Sequence, residues 1–285
     1  MMPDADSLLS ADRLCFCVQK LDLGRNNLVM ELANKTAFIT GGASGLGLAT
    51  ARNFVAAGAN VFLYDLNAEA LAESASEFGD NVKWQAGDVA DEAAVKSAVA
   101  SAVNNFGTIH INVNSAGIGG AARTVGKNGP MPLEKFEHIV RVNLIGTFNV
   151  LRLCAEVMQA NEPQTEDQER GVIINVASIA AFDGQTGQAG YAASKGGIVA
   201  MTLPIARDLA KRGVRIMTIA PGVFETPLLA GAPDEVKEPL IAITQFPKRL
   251  GRPDEFAVEV AHIVNCSYLN GEVIRLDAGI RMPAI

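Results

Sequence analysis

The 285-residue chain is 49% apolar and 19% charged, with 24 Lys and Arg against 31 Asp and Glu and a net charge of −7. This is a globular composition, not that of a disordered tail, and its acidic balance argues against a surface built mainly to grip nucleic-acid phosphates. No apolar run reaches the length of a membrane span. The four cysteines (Cys15, Cys17, Cys154 and Cys266) are too few for a disulfide framework and lack metal-ligand spacing, which points to a reducing, cytoplasmic setting with no metal.

Residues 1–30 show no sustained period. They lack the basic and long apolar regions of a signal peptide, and Asp4, Asp6 and Asp12 argue against a mitochondrial transit peptide, so the stretch reads as an appendage: a loose arm, or an extension ahead of a start at Met30. A single domain is expected over 31–285, because nothing inside it resembles a linker.

From residue 35 onward, apolar runs alternate with helical spacing. Strands are predicted at Thr36–Thr40, Asn60–Asp65, Val82–Gly87, Ile109–Asn114, Val172–Ala177, Val214–Ala220 and Val273–Leu276. Helices are predicted between them at Leu46–Ala57, Ala68–Phe78, Asp91–Phe106, Leu133–Gln159, Tyr191–Arg212 and Asp254–Val264. Strands that are apolar throughout are covered on both faces. The repeated strand–helix unit therefore implies a doubly wound α/β domain with a seven-stranded parallel sheet flanked by helices. Three loops are long: 118–132, 161–170 and 223–253. The first and third leave the carboxyl ends of strands, where such sheets bind ligands, and are the expected substrate walls. The stretch Thr226–Phe246 reads as a mobile lid over an apolar substrate or as ordinary surface packing. Loop 161–170 enters a strand from its amino end and is expected to be a solvated insertion. His110, His138 and His262 have no partner at metal spacing and are read as structural or surface residues.

The first strand runs into Thr40-Gly41-Gly42-Ala43-Ser44-Gly45-Leu46-Gly47 and then a helix. Glycines there suit a sharp turn and a close backbone approach to a pyrophosphate, which the helix N-terminus attracts through its free N–H groups. The turn could also be only a tight connection. Asp65 ends the second strand. A carboxylate there accepts hydrogen bonds from adenosine ribose hydroxyls and repels a 2′-phosphate, favouring NAD over its phosphorylated form; alternatively it caps the next helix. Asp88 and Val89 close the third strand and are candidates to hold and cover adenine, or Asp88 to cap a helix. Ser115 and Gly117, after the fourth strand, are small enough to let the chain lie against a cofactor.

Tyr191 and Lys195 stand four apart on one predicted helix and so share a face. Ser178 ends the preceding strand and Asn143 lies in the long helix before it. A phenol has a pKa near 10, so using it as a base near neutral pH requires lowering that value by about 3 units, or about 4 kcal/mol. An ammonium about 4 Å away at an effective dielectric of 20 supplies roughly that. Tyr191 is thus the candidate general base for alcohol oxidation and general acid for ketone reduction, with Lys195 lowering its pKa and Ser178 bonding the reacting oxygen. Tyr191 as a packed aromatic beside a surface lysine is the plain alternative.

With TGGASGLG, the NSAG turn, Asn143, Ser178, YAASK and Pro221-Gly222 in register, the chain resembles the short-chain dehydrogenase/reductase family from about Lys35 to Met282. Segments such as NLIGTFNV, RGVIINVAS and NGEVIRLD resemble its branch acting on 3-hydroxyacyl-CoA thioesters. The resemblance implies a Rossmann-type fold, with NAD bound by Gly41, Ser44, Gly45, Leu46, Gly47, Asp65, Asp88, Val89, Ser115, Gly117, Tyr191, Lys195, Phe224 and Thr226. It implies that Lys195 also holds the nicotinamide ribose, that Asn143 positions a water reaching Lys195, and that Ser178 and Tyr191 contact substrate. It further implies a homotetramer burying the apolar faces of helices 133–159 and 191–212. The expected reaction is NAD-dependent interconversion of a secondary alcohol and a ketone, first of all 3-hydroxyacyl-CoA and 3-oxoacyl-CoA. Hydroxysteroids or other secondary alcohols are the alternative, and an NAD-binding scaffold is the non-enzymatic one. Residues 119–132 and 229–240 depart from the family, as does Asn114-Ser115 where it has Asn-Cys, and loop departures of this kind bear on substrate choice.

Overall fold

The computed structural model describes residues 29–226 and 234–284. Seven parallel strands form one sheet: β1 (Thr36–Thr40), β2 (Asn60–Asp65), β3 (Val82–Ala86), β4 (Ile111–Asn114), β7 (Gly171–Val176), β8 (Val214–Pro221) and β9 (Val273–Leu276). Their order is β3-β2-β1-β4-β7-β8-β9. Two-residue strands β5 (Val125–Gly126) and β6 (Gly129–Pro130) make a separate hairpin inside the loop expected at 118–132.

Every residue of β1, β4, β7 and β8 is buried; most are apolar, and Asn112, Asn114 and Asn175 are joined by side-chain hydrogen bonds. One face is covered by α1 (Gly45–Ala56) and by α8 (Pro253–Asn265), where Phe54, Phe256 and Val260 pack on Ile39, Leu63 and Ile219; α2 (Ala68–Ala75) adds Leu71. The other face is covered by α3 (Glu92–Phe106), α5 (Thr147–Met158) and α6 (Ala189–Leu209). There Phe38 stacks on Phe62 at 5.5 Å and tilts against Tyr64 at 5.9 Å. Met30 is 1% exposed and belongs to the first of these cores, whereas residues 1–28 lie outside the described residues. The helix α7 (Asp234–Ile243) lies within the stretch read as a lid or surface packing, of which 227–233 is also outside the described residues.

The structure corrects two expectations. The single long helix over 133–159 is α4 (Leu133–Val140), a π-helical segment Arg141–Gly146, and α5. Asn143 sits in that widened turn. Loop 161–170 is not merely solvated: Glu169 is 5% exposed and pairs with the equally buried Arg215 of β8 at 2.8 Å. Asn161 and Thr165 are buried with it.

The strand order reverses between β1 and β4. In such sheets the loops there part in opposite directions and leave a crevice at the carboxyl ends.

Candidate active site

A cleft of about 830 Å³ occupies that crevice. Residues at or just beyond six strand ends border it: Gly41, Asp65, Asp88, Ser115, Ser178 and Phe224. Ser44, Gly45, Leu46, Val89, Gly117, Tyr191, Lys195 and Thr226 join them, so fourteen of the sixteen sequence-predicted site residues line one space.

At the β1 end, Gly41 has φ +65°, and a methyl group on it would lie 2.8 Å from the Ala116 backbone nitrogen. Only glycine leaves that approach open. Ser44 is the N-cap of α1 but makes no side-chain cap bond, whereas Asn67 and Asp91 cap α2 and α3 with their own oxygens. The α1 terminus thus presents its partial positive charge to the cleft without an internal side-chain acceptor. Gly47 does not line the cleft. A Cβ there would fall 2.2 Å from the Gly41 carbonyl oxygen, so this glycine packs the helix onto its own turn and shapes the bed from behind.

Asp65 fixes both of its oxygens: Oδ2 accepts from Ala43 N at 3.3 Å and Oδ1 from Asn67 N at 3.2 Å. It is not the cap of α2, a role Asn67 takes through Ala70 N. The exposed Leu66 follows it. Asp88 is likewise not the cap of α3; its Oδ1 accepts from Ala90 N at 2.8 Å, while its carbonyl accepts from the buried Tyr64 hydroxyl at 3.2 Å. Val89 is held by Asn149 Nδ2, which donates to its carbonyl at 2.8 Å.

At the other end, Ser178 follows β7, its Oγ accepting from Ala180 N at 3.1 Å, and it lines the cleft together with Tyr191. Burial pushes Tyr191 above its ordinary pKa, and the Ser178 hydroxyl pulls the other way. Lys195 is buried, donates to the Val176 carbonyl at 2.8 Å and lies 5.8 Å from the Tyr191 ring centroid. Burial pushes its ammonium down to about 8. From the sequence, Lys195 together with the positive nicotinamide is expected to lower Tyr191; in the protein by itself the ammonium points at the Val176 carbonyl and burial weakens it.

Asn143 is fully buried behind the cleft wall. Its Oδ1 accepts from Ile118 N at 2.8 Å, and its Nδ2 donates to Ile118 O and Ser194 Oγ, both at 3.0 Å. Both amide hydrogens are therefore used, leaving the side chain none to donate to a water. Ser194 in turn donates to the Tyr191 carbonyl at 2.8 Å, so Asn143 ties the turn after β4 to the helix carrying Tyr191. A methyl on Gly117 would sit 3.3 Å from Lys195 Nζ and 3.2 Å from Asn143 Oδ1, which places these three groups together.

Residues not singled out from the sequence also line the cleft: Gln185 and Gln188, between Ser178 and Tyr191, and Leu240 and Met282 from the carboxyl-terminal third. His138, read as structural or surface, is exposed at the cleft border. The two glutamines could have been found by their position between two predicted site residues; Met282 carries no local signal. His110 does match its structural reading: its Nδ1 accepts from Thr36 N at 3.1 Å, and burial pushes it down to about 4, keeping it neutral. Among the described residues no cluster of three His, Cys, Asp or Glu could hold a metal, and no helix is long and apolar enough to cross a membrane.

The bed suits a dinucleotide: a glycine-lined turn and an open helix terminus for a pyrophosphate, a fixed carboxylate for a ribose, and a proton-handling group at the far end. The chain is also similar to known proteins. The short chain dehydrogenase family model matches residues 35–237. The human protein named 3-hydroxyacyl-CoA dehydrogenase type-2 is 53% identical over 248 residues, covering 86% of this chain and 95% of its own. A 3-oxoacyl-(acyl-carrier-protein) reductase of Thermotoga maritima is 35% identical, covering 88% and 99%. The crystal structure of 3-hydroxyacyl-CoA dehydrogenase type-2 from Mycobacterium avium superposes with a TM-score of 0.84 at 38% identity, covering 89% of this chain and 99% of that one.

Proposed function

The chain belongs to the short-chain dehydrogenase family and is an oxidoreductase; from that premise we propose that it uses NAD to interconvert 3-hydroxyacyl-CoA and 3-oxoacyl-CoA thioesters. The observation that carries this reading is the convergence of Ser178, Tyr191 and Lys195 on the same cleft as the Asp65 carboxylate. The substrate class is supported by the relatives named for it, which the chain matches over nearly their whole length at about half identity.

Gly41, Ser44, Gly45 and Leu46 would hold the pyrophosphate, Asp65 the adenosine ribose, Asp88 and Val89 the adenine, and Ser115, Gly117, Lys195, Phe224 and Thr226 the remainder. The bound dinucleotide supplies the hydride donor or acceptor. In the reductive direction Ser178 donates a hydrogen bond to the ketone oxygen, and Tyr191 gives it its phenolic proton as negative charge develops there. In the oxidative direction Tyr191, as phenolate, takes the alcohol proton. Lys195, when charged, favours the phenolate. Asn143 positions Tyr191 through Ser194 and Gly117 through Ile118. Asp65, with Leu66 and no cation beside it, disfavours a 2′-phosphate.

The same proposal includes a homotetramer in a reducing, cytoplasmic setting. The test of the activity is a panel: acetoacetyl-CoA with NADH, the same with NADPH, and a hydroxysteroid with NAD. Rapid NADH-dependent reduction of the thioester is expected. Preference for NADPH, or turnover of the steroid alone, would overturn the assignment.

A further inference from the structure

The cleft has a wall that no motif marks. Met282, half-buried, lines it together with Leu240, Ser178 and Tyr191. It lies in Asp277–Ala284, a segment with no strand or helix to hold it. Side chains hold it instead. Arg275 on β9 donates from Nη2 to Asp183 Oδ2 at 2.6 Å and to Ile280 O at 3.1 Å, and from Nε to Asp277 Oδ2 at 2.8 Å. Its guanidinium lies 5.2 Å from the Phe182 ring centroid. Thr186 donates from both N and Oγ1 to Ala284 O, at 2.9 and 2.7 Å.

Asp183 and Thr186 sit on the stretch that joins Ser178 to Tyr191, so the segment is fastened to the same piece of chain as the proton-handling residues. At its other end Ala278 O accepts from Gln245 N at 3.1 Å, beyond the helix that carries Leu240. Arg275, Asp183 and Asp277 are each about a fifth exposed or less, where charge-assisted bonds resist competition from water. Met282 is thus an apolar, unbranched side chain at a fixed place on the wall of the cleft that Ser178 and Tyr191 also line. It cannot donate or carry charge, which leaves contact with carbon as its use.

We infer that Met282 is a specificity-determining residue, the wall against which the acyl chain of the substrate lies, and that the Asp183–Arg275 clamp positions it. The inference rests on the acyl-thioester reading above. A hydrophobic wall discriminates by about tenfold or more for each methylene that it accommodates or rejects.

The test uses the full chain and its Met282→Ala, Met282→Trp and Asp183→Asn variants. Each is assayed on 3-oxoacyl-CoA thioesters from four to sixteen carbons with saturating NADH, and NADH affinity is measured separately by fluorescence. Met282→Trp is expected to lower the long-to-short ratio of kcat/KM at least tenfold, and Met282→Ala to move the preferred length upward. Asp183→Asn should flatten the preference, and all three should bind NADH within about twofold of the parent. Length profiles parallel to the parent's in all three would overturn the role of Met282 while leaving the activity standing. A parent that turns over no thioester of any length would overturn both.

Discussion

Asp65 and Lys195 carry opposite electrostatic tasks, and each permits a sharp expectation. The Asp65 carboxylate is fixed by two backbone N–H groups and borders the cleft. Hydrogen bonds to a charged acceptor contribute about 1.5–3 kcal/mol. Asp65→Ala should therefore raise the NADH KM about 10- to 100-fold and narrow the gap to NADPH, as initial rates with each cofactor would read. Lys195 falls from 10.5 to about 8 because its ammonium is buried. The folded state then holds fewer protons than the unfolded one between about 8 and 10.5, so this group adds stability as pH rises through that window. At neutral pH it costs about 3 kcal/mol. Lys195→Met should keep or raise the thermal midpoint at pH 7 while losing turnover.

The pH profile of catalysis follows from the same two groups. Burial holds the Tyr191 phenol above its ordinary value, so it stays protonated where Lys195 has begun to lose its charge. The free enzyme's kcat/KM for ketone reduction should be level below about pH 7 and fall above about 8. Oxidation should rise with pH as phenolate becomes available. Tyr191→Phe should cost about 10²–10⁴-fold in both directions. A rate–pH profile with no break between 7 and 9 would contradict this ordering of the two groups. These residues were legible in the sequence because Ser178, Tyr191 and Lys195 are neighbours at a strand end and on one helix face. The weakening of Lys195 was not, since it depends on burial by distant elements.

Among the elements, the strand–helix rhythm was legible because most strands are largely apolar runs closed by Gly, Asp, Asn or Ser. The π-helical segment was not, because the extra residue in its widened turn leaves the apolar pattern of 133–159 nearly intact. Loop 161–170 misled for another reason. Its charges suggested water, but the partner of Glu169 is Arg215, a strand residue 46 positions away. Arg215 also donates to the carbonyls of Ile263, Val264 and Leu269, closing the end of α8. Removing one member of a buried pair costs about 3–5 kcal/mol, whereas replacing both with apolar groups is often nearly neutral. Arg215→Met should thus lose at least about 3 kcal/mol in urea unfolding. The double variant Arg215→Met with Glu169→Leu should recover part of that loss, because it no longer strands a buried carboxylate whose Oε2 already lacks a partner. A double variant weaker than the sum of the two single changes would count against this account.

For the whole molecule, the telling feature is apolar surface on the helices that carry and support the site. Ile145 and Phe148, on the π-helical segment and α5, are 53% and 48% exposed, and Leu203 on α6 is 45% exposed. Scattered apolar residues are ordinary on a surface. These three are not scattered: they lie on helices that also hold Asn143 and, on α6, Tyr191 and Lys195. A second copy covering both helices would bury them and brace the site from outside, and a stable interface needs about 800 Å² from each partner. Light scattering on the intact chain should give four times the 30.0 kDa chain mass. Ile145→Glu with Phe148→Asp should give a smaller species, because two carboxylates would have to be buried without partners. Since Asn143 and Thr147 lie beside the altered positions, the smaller species should also lose turnover while NADH binding at the distant Asp65 end declines less. A variant that stays at full assembly mass with both substitutions in place would show that this face is not where copies meet.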